Sequence, residues 1–177
     1  MGEGRFMGVG DQPGTGHLLT MLKVEYINPV VKNIFRFFRD LLKVSIHRGS
    51  ITALRAGENG MDLRGVAVLM DVSGGMRGSM VLVFPADTAL ALVSKLLDKE
   101  VKIIDDEAID AIRDVAIFVE EGARKELEAL EPPAVLKISK VVRGEVSSAS
   151  SASQGMWLEI PFESDLGPFA LRIKGAS

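Results

Sequence analysis

Apolar residues recur at three- and four-residue steps in two long stretches of the chain and alternate with polar ones through much of the rest. In the first stretch Ile27, Val30, Val31, Ile34, Phe35, Phe38, Leu41 and Leu42 fall on one stripe, the pattern of a helix with one face in a core. Asn28 can cap that helix, and Pro29 fits its first position, where a missing N–H costs nothing. Strand-like segments follow at 45–56, 62–73 and 78–84; the glycine turn Ser73–Gly78 makes a hairpin of the last two. Pro85 ends the third segment, and Asp87 opens a short helix carrying Ala89, Leu92, Val93, Leu96 and Leu97. A longer helix comes next. Asp105, Asp106 and Glu107 put negative charge where its dipole is positive, Ile109, Ile112, Ala116, Val119, Ala123, Leu127 and Leu130 form its stripe, and Pro132-Pro133 stops it. Strands are expected again at 135–143, at 155–163 with Trp157 as a core or interface residue, and at 168–174.

The order α-βββ-αα-βββ, with strands joined by short turns, predicts an α+β fold: an antiparallel six-stranded sheet with three helices packed on it. A chain of 177 residues suits one domain. Residues 1–20 hold six of the eighteen glycines and no periodicity, so they are expected as a flexible leader before a single domain at 21–177, with Met21 as an alternative start. The glycines at 10–16 lack the P-loop lysine and its flanking strand and helix. The serine run at 147–153 has no apolar side chains large enough to anchor it and is expected as a flexible loop.

Composition narrows the chemistry. The chain has no cysteine, which removes disulfides, thiolate metal sites and cysteine catalysis together. No apolar run approaches the roughly 20 residues of a membrane span, and no export signal opens the chain, so a cytoplasmic location away from the membrane is expected. With 21 basic against 24 acidic residues and no basic cluster, nucleic acid is not an expected partner. His17 and His47 have no neighbours at ligand spacing, so neither a metal site nor a cofactor is expected. A G-x-S-x-G elbow is absent as well.

Within the longer helix, the segment from Asp110 to Ile117 resembles the D/S-x-x-x-E-x-x-N active-site helix of the CheX and CheC chemotaxis phosphatases. Glu25–Val30 resembles the opening of the first CheX helix, Asp71–Pro85 its central hairpin, and Ile160–Phe169 its carboxy-terminal strand pair. The order of these blocks is that of the family. In CheX-like proteins, the resemblance implies, this helix docks into the active site of a phosphorylated CheY-like receiver domain. The acidic residue engages the receiver's lysine, and the asparagine amide aligns a water against the aspartyl phosphate. The magnesium ion belongs to the receiver, and strands pair between subunits, so a homodimer is expected.

Here Asp110 matches the leading position, Asp114 stands for the glutamate, Ile117 for the asparagine, and Gly122 for a further family asparagine. Asp114 keeps its charge with a reach shorter by about 1.5 Å, one carbon–carbon bond. Ile117 has neither donor nor acceptor and cannot orient the in-line water that acyl phosphate hydrolysis needs. The resemblance therefore implies docking through the helix at 105–130 by Asp110, Asp114, Ile117 and Glu121. Asp114 is the one acid left at a catalytic position, and phosphatase activity is weak or lost. An apolar residue amid charged ones marks a contact surface, and Phe118 either joins that contact or widens the core stripe. Glu25-Tyr-Ile-Asn28 is a literal E-x-x-N, read as a helix cap because Asn28 precedes Pro29. Two alternatives stay open. In one the acidic face is merely solvated and the fold is a dimeric scaffold exchanging residues 155–174 between subunits. In the other the protein is an active phosphatase in which Glu121 orients the water.

Overall fold

The computed structural model describes residues 23–55, 63–146 and 156–175; the expected leader at 1–20 and the serine run at 147–153 lie outside them. Helix α1 spans Val24–Phe35 and continues as a π-helical segment, Arg36–Leu41. Strands β1 (Ile46–Arg48), β2 (Thr52–Arg55), β3 (Leu63–Gly74) and β4 (Gly78–Pro85) precede α2 (Ala86–Leu97) and α3 (Asp106–Ala129), and β5 (Ala134–Val146), β6 (Met156–Ser164) and β7 (Phe169–Gly175) follow. All pairings are antiparallel, in the order β1-β6-β7-β4-β3-β5, with β2 also on β6. The expected α+β architecture of three helices on an antiparallel sheet holds, with seven strands in place of six.

The extra strand comes from a break in the segment expected at 45–56. Arg48 faces Phe162 and Thr52 faces Glu159, so three residues oppose two. Pro161 lies in that gap and has no N–H to give to the ladder, while its carbonyl accepts from the Gly49 N–H at 2.8 Å.

Two features of the first helix also differ from expectation. The helix begins at Val24, four residues before the expected cap, so Asn28 and Pro29 lie inside it and Asn28 caps nothing. The additional turn is held by burial of Tyr26 and Ile27, by the Tyr26 hydroxyl donating to the Pro132 carbonyl, and by Lys23 Nζ donating to the Gly75 carbonyl at 3.1 Å. Pro29, the sixth residue of the helix, gives no N–H to the Glu25 carbonyl and crowds it, a cost that this burial offsets. The second difference lies beyond Phe35, where the π segment has more residues per turn and rotates the stripe. Phe37, outside the expected stripe, becomes buried, and Leu41, inside it, is 56% exposed.

Alternate residues of the strands, among them Val66, Val68, Met80, Leu82, Ile160 and Leu171, join the helices in one core. Phe169 is its centre, stacked on Phe38, Phe84 and Phe162 with ring centroids 4.7, 5.2 and 5.0 Å apart. The opposite face of the sheet carries a smaller cluster of Ala67, Val83 and Ala170. Trp157 is buried on that face, 6.0 Å from Lys174 Nζ to its ring centroid, beside a cavity of about 580 Å³ floored by Leu69 and Val81. No described helix is long and apolar enough to cross a membrane.

Candidate functional site

Helix α3 forms where the charge pattern sets its start. Asp105 Oδ1 accepts from the Ala108 N–H at 2.9 Å as an N-cap, and Asp106 and Glu107 follow in the positive first turn. Ile112, Ala116, Val119, Ala123 and Leu127 go into the core as expected, with Ile109 and Leu130 partly buried against it. Ala108, Ala111 and Val115 are buried too, widening that stripe.

The four expected site residues share the opposite side. Asp110, Asp114 and Glu121 are exposed and Ile117 between them is half-buried, so they form one strip along α3. Asp110 is held by Arg113 at 3.1 Å, one turn away. Among the described residues neither Asp114 nor Glu121 has an ion-pair partner. The strip thus offers two solvated carboxylates around an apolar centre, with no amide to position a water.

One edge of the strip is the seam with α1, and here the structure adds residues that sequence reasoning did not assign. The helices run antiparallel, since Lys32 Nζ meets Glu126 Oε2 at 3.2 Å whereas Phe37, further along α1, meets Phe118 earlier on α3, ring to ring at 5.2 Å. Between these contacts Asn33 is buried against Gly122. A Cβ on Gly122 would stand 2.0 Å from Asn33 Oδ1, so only glycine admits this approach. Asn33 Nδ2 donates to the Pro29 carbonyl at 2.7 Å, and Asn33 Oδ1 accepts from Arg36 Nη1 at 2.8 Å. The Arg36 guanidinium then lies over the Phe118 ring, 5.5 Å from its centroid. Of the two roles expected for Phe118, the structure shows the core one: it is half-buried against the main cluster, with the Arg36 guanidinium on its ring. A glycine inside an amphipathic helix was the available signal for a close approach, but its partner 89 positions earlier was not.

The literal Glu25-x-x-Asn28 lies elsewhere on α1, near the Tyr26–Pro132 contact. Glu25 is exposed; Asn28 is partly buried, with an Oδ1 that is sealed from solvent and has no hydrogen-bond partner. His47 is exposed on β1 opposite Glu163. Among the described residues no three side chains of the histidine, aspartate and glutamate types gather at a metal-binding distance.

The family model for chemotaxis phosphatase CheX matches residues 66–163. Solved structures share the fold. A CheC-like superfamily protein from Shewanella sp. PV-4 superposes with a TM-score of 0.72 at 22% identity, over 85% of this chain and 97% of that one. A chemotaxis protein CheX from Desulfovibrio desulfuricans gives 0.68 at 18%, over 86% and 99%. The CheX of a CheX–CheY–BeF3–Mg2+ complex from Borrelia burgdorferi gives 0.64 at 22%, over 86% and 98%. No curated protein matches the chain by sequence.

Proposed function

The chain belongs to the CheX family of chemotaxis phosphatases, and on that premise we propose that it docks a phosphorylated CheY-like receiver domain through the α3 strip while supplying little phosphatase chemistry of its own. The observation that carries this is Ile117, half-buried between Asp114 and Glu121 at the position where the family motif has its amide. An aliphatic side chain there favours contact and cannot hold a water in line. Support for the partner comes from the Borrelia relative, whose structure is a complex with CheY and BeF3. In this reading Asp114 faces the receiver's lysine, the magnesium ion stays with the receiver, and the chain itself holds no cofactor.

The test is phosphate loss from receivers of the same organism, phosphorylated with acetyl phosphate or phosphoramidate. The expected rate is close to the receiver's own. Hydrolysis well above it, abolished by Asp114→Ala or Glu121→Gln, would instead establish a phosphatase using substituted residues. One observation favours a different centre: with α1 starting at Val24, Glu25 and Asn28 are an i, i+3 pair on a helix. Acceleration lost in Asn28→Ala and untouched by Asp114→Ala would move the chemistry there. The informative repair is Asp114→Glu with Ile117→Asn, for which gain of hydrolysis is expected.

The scaffold alternative draws on β5, a strand of 13 residues whose outer edge is unpaired among the described residues. Sedimentation equilibrium reports self-association directly. Ile117→Lys should weaken receiver binding under the docking reading and leave it unchanged if the strip is inert.

A further inference from the structure

The docking strip is acidic, yet the seam with α1 along its edge holds an ordered cation, Arg36. Arg36 is exposed, and its side chain is held at two points: over Phe118, the residue after Ile117, and on Asn33 Oδ1. Asn33 is itself 1% exposed and tied to the Pro29 carbonyl, so the acceptor that positions Arg36 is immobile. Gly122 leaves the space in which Asn33 does this. Among the described residues Arg36 has no carboxylate within ion-pair distance, although α3 beside it is rich in acids. Four of its five N–H donors are therefore uncommitted in a side chain already ordered.

A guanidinium in this state is matched to phosphoryl oxygens: it is permanently charged, its donors form a planar fork, and little rotamer freedom remains to be lost on binding. We propose that Arg36 is the phosphate contact of the docking face, donating to the oxygens of the receiver's aspartyl phosphate and making binding selective for the phosphorylated partner. The inference rests on the docking reading. It divides the surface into two complementary parts, acids of the α3 strip toward a cation of the partner and Arg36 toward its phosphoryl group. It also suits a site without a water-orienting amide, since an arginine can hold a phosphate where nothing delivers the nucleophile.

The experiment titrates the full chain with CheY-like receivers in magnesium, with and without fluoroberyllate as the phosphoryl mimic, and reads the ratio of the two dissociation constants. Wild type should prefer the loaded receiver by about tenfold or more, the scale of one charge-assisted contact. Arg36→Gln should bring that ratio close to one by weakening only the loaded complex, and Arg36→Lys, which keeps charge without the fork, should fall between. A ratio unchanged in Arg36→Gln overturns the proposal, as does an equal loss in both states, which would assign Arg36 a structural role. Should Arg36→Gln unfold in a melting control, the Lys variant decides by the same ratio. Wild type binding both forms equally removes the Arg36 assignment and leaves docking standing; binding neither form removes both.

Discussion

Gly122 sits where two physical demands oppose each other. Inside a helix, replacing glycine with alanine ordinarily stabilises by about 1 kcal/mol. Here the added methyl would meet Asn33 Oδ1 at 2.0 Å and Cγ at 2.7 Å, and Asn33 is buried and hydrogen-bonded at both ends, so it cannot swing away. Overpacking of this kind costs roughly 1–3 kcal/mol, so Gly122→Ala should unfold at lower denaturant despite its better propensity. In an Asn33→Ala background the sign should reverse, with Gly122→Ala now raising stability, and a double-mutant cycle measures the coupling. At this scale the sequence was half legible. Ile117 stands out because an aliphatic residue interrupts charges at helical spacing, whereas Arg36 acquires meaning only from Phe118 and Asn33, contacts that no local pattern records.

The longest elements were the most legible, because each carries several independent signals. α3 has an acidic first turn, a periodic stripe and a proline stop, and all three act where expected, while the structure adds Asp105 as its N-cap. Asp105→Ala should cost about 1 kcal/mol through loss of the bond to the Ala108 N–H, visible as a lower melting temperature, while Asp105→Ser should recover most of it. Elements failed to match where one signal stood against a tertiary one. Asn28-Pro29 resembled a helix start, but burial of Tyr26 and Ile27 extended α1 past it. The strand at 45–56 looked continuous, and what divides it is Pro161, on another strand more than a hundred residues away.

For the whole molecule, the class of fold follows from the order of elements, but the sheet order β1-β6-β7-β4-β3-β5 joins strands distant in sequence and leaves no trace in local periodicity. The aromatic stack is the physical record of that long-range assembly: Phe38 from the first helical segment, Phe84 from β4, Phe162 from β6 and Phe169 from β7 converge on one point of the core. Phe169→Ala removes the ring common to all three contacts, and a loss of about 3–5 kcal/mol is expected. Against the roughly 5–15 kcal/mol that holds a domain folded, this should leave a substantially unfolded population at moderate temperature, measurable by equilibrium denaturation. The strip proposed for docking is on the outside of α3, so under that proposal a partly rescued Phe169→Leu variant should bind receivers with wild-type affinity wherever it is folded.

The π-helical segment at Arg36–Leu41 alters more than the exposure of Leu41. A π turn is in effect one residue added to a helix, and here it brings Phe37 inward against Phe118, the ring on which Arg36 rests. The support of the surface cation is thereby encoded in chain length as well as in residue identity. Two family members with the same amino acids in this region, differing by one residue between Pro29 and Val44, would present different surfaces beside the same strip. Deleting one residue from Arg36–Leu41 should accordingly restore a regular helix and withdraw Phe37 from Phe118, changing the surface beside Ile117 without touching any residue of the α3 strip.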